Sequence, residues 1–108
     1  MTDAIVVLVT APSADKAAEL ARALVEERLA ACGNVFPGLR SIYRWEGKLH
    51  DEPEALLILK TRASLFEALR ERVVALHPYQ VPEVLRLDVA GGHLPYLEWI
   101  RASVRSSP

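Results

Sequence analysis

Cysteine is almost absent from this chain, since Cys32 is the only one among 108 residues. An intrachain disulfide is therefore impossible, which excludes the small disulfide-stapled scaffolds common among secreted proteins. An excess of charge of one sign is also missing, because 13 basic and 14 acidic residues give a net charge of −1. Without a basic stripe, binding through counterion release has no basis, so no nucleic-acid partner is expected.

Long hydrophobic runs are missing as well. The apolar run at residues 4–9 is far shorter than the roughly 20 residues of a membrane span, and it lacks the basic flank of a signal peptide. We therefore expect no membrane partner and a cytoplasmic location.

The motifs of several enzyme and nucleotide-binding classes are absent too. The sequence has no Walker-type phosphate loop, no GxGxxG segment, no serine nucleophile elbow and no histidine pair with zinc-protease spacing. A spatial assembly of Cys32, His77 and Glu83 stays open, but no signature supports it. We therefore expect that the protein is not an enzyme.

The size of the chain indicates a single domain over residues 1–108. Its hydrophobic fraction of 51% slightly exceeds the roughly 45–50% of an average soluble domain. Because so short a chain buries a limited share of its surface alone, this excess favours self-association.

The first half of the chain predicts a strand, a helix and a second strand. Residues 4–9 form the continuous apolar run of a strand covered on both faces. Ser13 is a suitable N-cap for a long helix that ends at Gly33, and apolar residues recur along it at helical spacing. Arg28 falls within that apolar stripe, where a charge must either extend to water or be paired, and we expect a partner across a subunit contact. Residues 35–45 then predict a strand with a bend at Pro37–Gly38.

The second half predicts a hairpin partner, a helix, a strand and a last helix. Residues 47–53 have turn chemistry, and residues 55–60 form another fully buried strand. Ser64 and Glu67 match a capping box for a helix that ends before Pro78. Beyond it, the sequence predicts a strand over residues 81–89, a short helix with Pro95 in its first turn and a frayed tail over residues 103–108.

This order of elements is typical of an α+β, ferredoxin-like split βαβ fold, βαββαβ plus a short C-terminal helix. Right-handed crossovers then place both main helices on one face of an antiparallel sheet. Apolar residues nevertheless fall on both faces, among them Ile42, Leu57, Leu59 and Leu85. A second copy of the chain is a natural cover for the face without helices.

Four short segments resemble the CutA divalent-cation-tolerance family. They are Thr10-Ala11-Pro12, Leu29-Ala30-Ala31-Cys32, Ser41-Ile42-Tyr43-Arg44-Trp45-Glu46-Gly47-Lys48 and His77-Pro78-Tyr79-Gln80-Val81-Pro82-Glu83. The resemblance covers nearly the whole chain. It implies a PII-like homotrimer linked to the tolerance of divalent metal ions.

The resemblance also implies a copper site at the histidine of the His-Pro-Tyr segment, here His77. In some family members a cysteine just before Thr-Ala-Pro and a second histidine assist this site. This chain has Val9 and Leu76 at those two positions. An imidazole suits copper(II) and other divalent metals, and no metal is expected to be required for folding. The alternative is a helix-end histidine that bonds to nearby backbone.

Two other candidates for metal binding have simpler readings. Cys32 is either a soft metal ligand or reactive thiol, or a packed residue of the core. The run of His50, Asp51, Glu52 and Glu54 either holds a divalent ion loosely or forms a solvated hairpin tip.

A further set of residues predicts a cleft between subunits that holds an anionic or aromatic small molecule. Its members are Cys32, Tyr43, Arg44, Trp45, Glu46, Lys60, Tyr79 and Glu83. The same aromatic and arginine residues would serve equally to anchor a subunit interface. Because CutA proteins resemble PII-type signalling proteins, the second functional hypothesis is a PII-like sensor or scaffold. It would bind a metabolite in this cleft and contact a partner protein of unknown identity.

Overall fold

A computed structural model describes residues 2–108, which form four strands, three helices and one short 3-10 turn. The elements are β1 (Ala4–Ala11), α1 (Ala14–Glu26), β2 (Cys32–Trp45), β3 (Lys48–Arg62), the 3-10 turn Ala63–Leu65, α2 (Phe66–Leu76), β4 (Leu85–Asp88) and α3 (Leu94–Ser103). The strands lie in the order β2-β3-β1-β4, and each neighbouring pair is antiparallel. The predicted α+β, ferredoxin-like arrangement is thereby confirmed.

The two faces of the sheet are covered unequally. Val7 and Leu57 are fully buried in the core that α1 and α2 complete, whereas the adjacent Leu8 and Ile58 lie on the opposite face and are half-buried. Strand registers place a continuous apolar set on that second face, which we call the open face: Val6, Leu8, Phe36, Leu56, Ile58, Leu85 and Leu87. The prediction of apolar groups on both faces is confirmed.

The first helix is shorter than the sequence predicts. Ser13 caps it as expected, with its Oγ accepting from the Lys16 N–H at 3.1 Å. The helix ends at Glu26 rather than at Gly33, because the chain turns at Arg28 (φ 57°) and Cys32 already pairs with Lys60 in the sheet. The prediction that Arg28 lies within the apolar stripe is wrong, since its side chain is exposed in the turn.

The β2–β3 hairpin is longer than predicted. Its turn consists of Glu46 and Gly47 alone, both with positive φ, so the prediction of a turn over residues 47–53 is wrong. Two residues with left-handed φ match the twist of a tight hairpin, which lets pairing begin at once. The predicted bend at Pro37–Gly38 is confirmed as a register shift between Phe36 and Leu39.

The distal part of this hairpin projects beyond the rest of the sheet. Residues 39–45 and 48–54, which we call the arm, pair only with each other, because β1 ends opposite Ala55. Pro53 is tolerated within the arm since, in residues 2–108, no strand pairs with the other edge of β3 there. A two-stranded ribbon is marginal by itself in water, so the arm depends on further contacts.

The second helix begins without the predicted capping box. Among the described residues, no side chain caps α2. The Glu67 carboxylate instead accepts from Arg70 Nε at 3.1 Å, and the 3-10 turn leads into the helix. The predicted end is confirmed, because α2 stops at Leu76 before Pro78. The strand predicted over residues 81–89 is reduced to β4, since only four of its residues pair with β1.

The C-terminal region is held more firmly than predicted. Pro95 lies in the first turn of α3 as expected. Val104 is buried, and the Arg105 guanidinium donates to the Glu27 carbonyl at 2.7 and 3.1 Å, so a frayed tail over residues 103–108 is wrong as far as Arg105. Within residues 2–108, no helix is long and apolar enough to cross a membrane.

Candidate functional site

A cavity of about 660 Å³ lies between the arm, the end of β1 and the loop that follows α2. Its lining residues are Thr10, Ser41, Ile42, Tyr43, Trp45, Glu54, Pro78, Tyr79, Gln80, Val81 and Glu83. The cavity thus brings together parts of the two segments that the sequence singles out. Residues that are distant in the chain meet here because the arm passes beside the loop in the space beyond the end of β1.

His77 fixes the start of this loop through both of its ring nitrogens. The imidazole is 8% exposed, its Nδ1 accepts from the Tyr79 backbone N–H at 3.1 Å, and its Nε2 lies 2.7 Å from the Thr10 carbonyl oxygen. Because Nδ1 accepts, Nε2 carries the hydrogen and donates it to Thr10. This arrangement matches the alternative in which a helix-end histidine bonds to nearby backbone, and a metal ion at His77 would have to displace one of these bonds.

Tyr79 is held against the arm by a carboxylate. Its hydroxyl donates to Glu54 Oε2 at 2.6 Å, and its ring lies 4.6 Å from the His77 ring, centroid to centroid. Burial and the bond to Glu54 raise the pKa of Tyr79 far above its usual range, so the phenol stays protonated at physiological pH. The Tyr79 side chain, whose hydroxyl donates to Glu54, is therefore a fixed part of the cavity wall.

Glu83 contributes a second carboxylate to the same cavity. Burial, followed by the charge of Glu54, raises the pKa of Glu83 above its ordinary value. Neither glutamate takes part in any ion pair formed by residues 2–108. Glu54 and Glu83 therefore give the cavity two carboxyl groups that no cation of the described residues pairs with.

Two aromatic side chains of the arm complete the wall opposite the loop. Tyr43 and Trp45 are about two-fifths exposed, and the Tyr43 ring stacks on His50 with centroids 5.0 Å apart and planes 8° from parallel. Burial and the charges of Glu52 and Glu54 raise the pKa of Tyr43. Two neutral aromatic side chains therefore line the cavity close to acidic groups.

Only part of the predicted cleft comes together within one subunit. Tyr43, Trp45, Tyr79 and Glu83 line the cavity, whereas Arg44 and Glu46 do not. Arg44 lies next to Tyr43 on a strand, so its side chain takes the opposite face, where it donates to the Gly47 carbonyl at 3.5 Å. Glu46 occupies the tight turn at φ 51°.

The other two predicted cleft residues lie elsewhere on the sheet. Lys60 Nζ donates to Asn34 Oδ1 at 2.7 Å, and Cys32 Sγ lies 3.8 Å from the Tyr96 hydroxyl, beside α3. Cys32 is neither fully buried in the core nor freely exposed. A cleft that joins these residues to the cavity stays a prediction that requires a second subunit.

The acidic run on the arm forms separate pairs. Asp51 accepts two bonds from the Arg40 guanidinium, at 2.7 and 2.8 Å, which lowers the pKa of Asp51, while His50 Nδ1 lies 3.3 Å from Glu52. Across residues 2–108, no three His, Cys, Asp or Glu side chains lie close enough together to hold a metal ion. Sequence reasoning placed Glu54 in this run and missed its role in the cavity. If the alternation of side chains along β3 is continued back to Lys48, Glu54 falls on the same face of the hairpin as Tyr43.

Comparison with known proteins gives consistent matches over almost the whole chain. Residues 5–103 match the family described as CutA1 divalent ion tolerance protein. The "Divalent-cation tolerance protein CutA" of Thermus thermophilus is 55% identical over 89% of this chain and 93% of its own length. The human "Protein CutA" is 48% identical over 91% of this chain. This chain spans 55% of the human protein and 58% of the rice "Protein CutA 1, chloroplastic".

Solved structures agree with these sequence matches. The crystal structure of CutA1 from Oryza sativa has a TM-score of 0.95 and 50% identity, covering 98% of this chain and 97% of that one. The Thermus thermophilus protein has a TM-score of 0.91 and 52% identity, covering 94% and 99%.

Proposed function

The chain belongs to the CutA1 divalent ion tolerance family, and we propose that it contributes to the tolerance of divalent cations as a non-enzymatic cytoplasmic homotrimer. The observation that carries the proposal is the family match, which extends through nearly the whole domain. The names of relatives place one protein in the chloroplast and another in the periplasm, so the cytoplasm is proposed here on the sequence argument alone.

The surface of the subunit supports self-association. Phe36, Leu85 and Leu87 on the open face are 53%, 56% and 52% exposed, and they adjoin the half-buried Leu8 and Ile58. A contiguous apolar face of this kind is rare on soluble monomers and marks a contact surface. The free strand edges of the arm offer unpaired backbone groups to neighbouring copies of the chain. The family resemblance implies that three copies of the chain associate.

A direct role for copper(II) is the finer part of this proposal, and one subunit does not supply a fitting site. Both nitrogens of His77 are already bonded, and no group of three metal-ligating side chains is found in residues 2–108. We therefore propose copper contact at His77 only as a site that neighbouring subunits complete. Metal tolerance without direct metal binding is equally compatible with the family match.

The second candidate function is small-molecule binding by a PII-like trimer. The cavity of about 660 Å³ favours it, because its volume lies within the roughly 300–1,000 Å³ usual for ligand sites. In this reading, ligand binding alters contacts with a partner protein.

Native mass spectrometry with and without copper(II) tests the first proposal. A trimer that gains copper in multiples of three would support the proposed assembly and copper binding. Loss of that copper in the His77→Gln variant would place the copper contact at His77. We choose Gln because its amide can still donate to Thr10. A trimer that ignores copper would remove the copper part, whereas a monomer would contradict the proposed assembly. Growth on copper(II) of a strain without its own CutA protein, with and without this chain, tests the tolerance itself.

A further inference from the structure

The charged groups that line the cavity have one sign. Glu54 and Glu83 are its only charged lining residues among those described, and no lysine, arginine or histidine is among them. Arg44 and Lys60, the two cations of the predicted cleft, both lie outside it. An anionic ligand would therefore meet two carboxylates without a counter-charge, which disfavours that part of the sequence-based expectation.

Aromatic rings form much of the remaining wall. Tyr43 and Trp45 come from the arm and Tyr79 from the loop, so that aromatic side chains line the cavity on both sides. The faces of such rings attract cations through their quadrupole, with Trp the strongest. A hydrated metal ion gains little from aromatic walls, whereas an organic cation can bury its apolar body against them.

The walls are held in place by contacts within the subunit. The bond from Tyr79 to Glu54 joins the loop to the arm at 2.6 Å, and His77 fixes the Tyr79 backbone. The His50 ring stacks on the Tyr43 ring and supports it. Tyr79 and Tyr43 therefore need little further ordering when a ligand binds, which favours binding.

We propose that this cavity binds a small organic cation, an amine or guanidinium compound with an apolar or aromatic body. The charge would lie near Glu54 and Glu83, and the body would lie against Trp45 and Tyr43. This inference rests on the second candidate function, small-molecule binding, and specifies its ligand class. The proposed binding of an organic cation does not depend on the proposed role in metal tolerance.

Tryptophan fluorescence gives a local readout. The chain has two tryptophans, and Trp99 stacks on Tyr96 in α3, outside the cavity. A Trp99→Phe variant therefore leaves Trp45 as the reporter. The assembled protein is titrated with three compounds of similar shape, phenethylamine (cationic), 2-phenylethanol (neutral) and 3-phenylpropanoate (anionic). We expect phenethylamine to bind about tenfold more tightly than the alcohol, and the anion to bind least.

Glutamate variants locate the site. Glu83→Gln and Glu54→Gln should each weaken phenethylamine binding about three- to tenfold. The matched control is Glu71→Gln on the exposed surface of α2, which should leave the affinity unchanged. Isothermal titration calorimetry on the same variants checks the affinities without relying on Trp45.

Several results would overturn the inference. Equal binding of the three compounds, preference for the anion, or absence of phenethylamine binding by an intact assembly would each reject a cation site. Binding that survives both glutamate variants would place the compound elsewhere. Native mass spectra report the assembly separately from the titrations, so a failure of trimer formation rejects the proposed assembly, while the amine titration of the same species still tests the cation site.

Discussion

His77 donates the hydrogen of its Nε2 to the main-chain oxygen of Thr10 at 2.7 Å, joining the end of α2 to the end of β1. The opposite nitrogen accepts from the Tyr79 backbone, so one imidazole sets the position of the loop that walls the cavity. The residue that the family resemblance assigns to metal is thus also a structural support for the proposed ligand site.

Loss of this imidazole should destabilise the fold. His77→Ala removes both bonds and leaves two partly buried backbone groups without this partner, which should lower the free energy of unfolding by about 1–2 kcal/mol. His77→Gln retains a donor for Thr10 and should lose less. Urea unfolding measures both variants, and His93→Ala, an exposed histidine, is the control. Equal stability of His77→Ala and the parent protein would show that the two bonds contribute nothing.

The sequence predicted the order of the elements because that information is local. Uninterrupted apolar runs, helical spacing and the Ser13 cap mark β1, β3 and α1 without reference to distant residues. The end of α1 was missed because it depends on a distant strand. Residues 32–34 carry no strong local preference, and their pairing with residues 58–60 draws them into the sheet.

The site was predictable only in part for a similar reason. Two-residue alternation separates Arg44 from Tyr43 and Trp45, and this could have been read from the sequence once the arm was recognised as a strand. The contact between Tyr79 and Glu54 could not, because it depends on how the loop passes the arm.

Gly33 provides a test of this sheet pairing. A Cβ added at Gly33 would lie 2.8 Å from the Ala21 Cβ and 3.2 Å from side-chain carbons of Leu57 and Leu59. Because the contact joins α1 to the sheet, Gly33→Ala should lower the free energy of unfolding by about 1–3 kcal/mol. Gly91→Ala is the matched control, since its Cβ would meet nothing within 4 Å. Thermal unfolding compares the two, and an equal effect would mean that α1 moves away without cost.

Glu83 should make stability depend on pH in a predictable direction. Its pKa is raised in the folded state, first by burial and then by Glu54, so folding favours the protonated form. Its stabilising contribution is therefore complete below the unfolded value of about 4.3 and is lost as the pH rises through the folded pKa. Glu83→Gln should raise the melting temperature at pH 7, with a gain that disappears near pH 4. A gain of constant size across this range would exclude titration of Glu83 as its cause.

A charge on the open face should prevent assembly while leaving the subunit fold intact. Leu87 lies opposite Val6 on that face and is about half exposed, so Leu87→Glu costs little within one subunit. In the proposed trimer the carboxylate would be buried without a partner, at a cost on the order of 3 kcal/mol. Light scattering should then report a smaller species at micromolar concentration. Val74→Glu, on the outer side of α2 and 45% exposed, adds the same charge away from the open face and should leave the assembly unchanged. If Leu87→Glu assembles like the parent protein, the copies meet through another surface, and the free edges of the arm become the next contact to test.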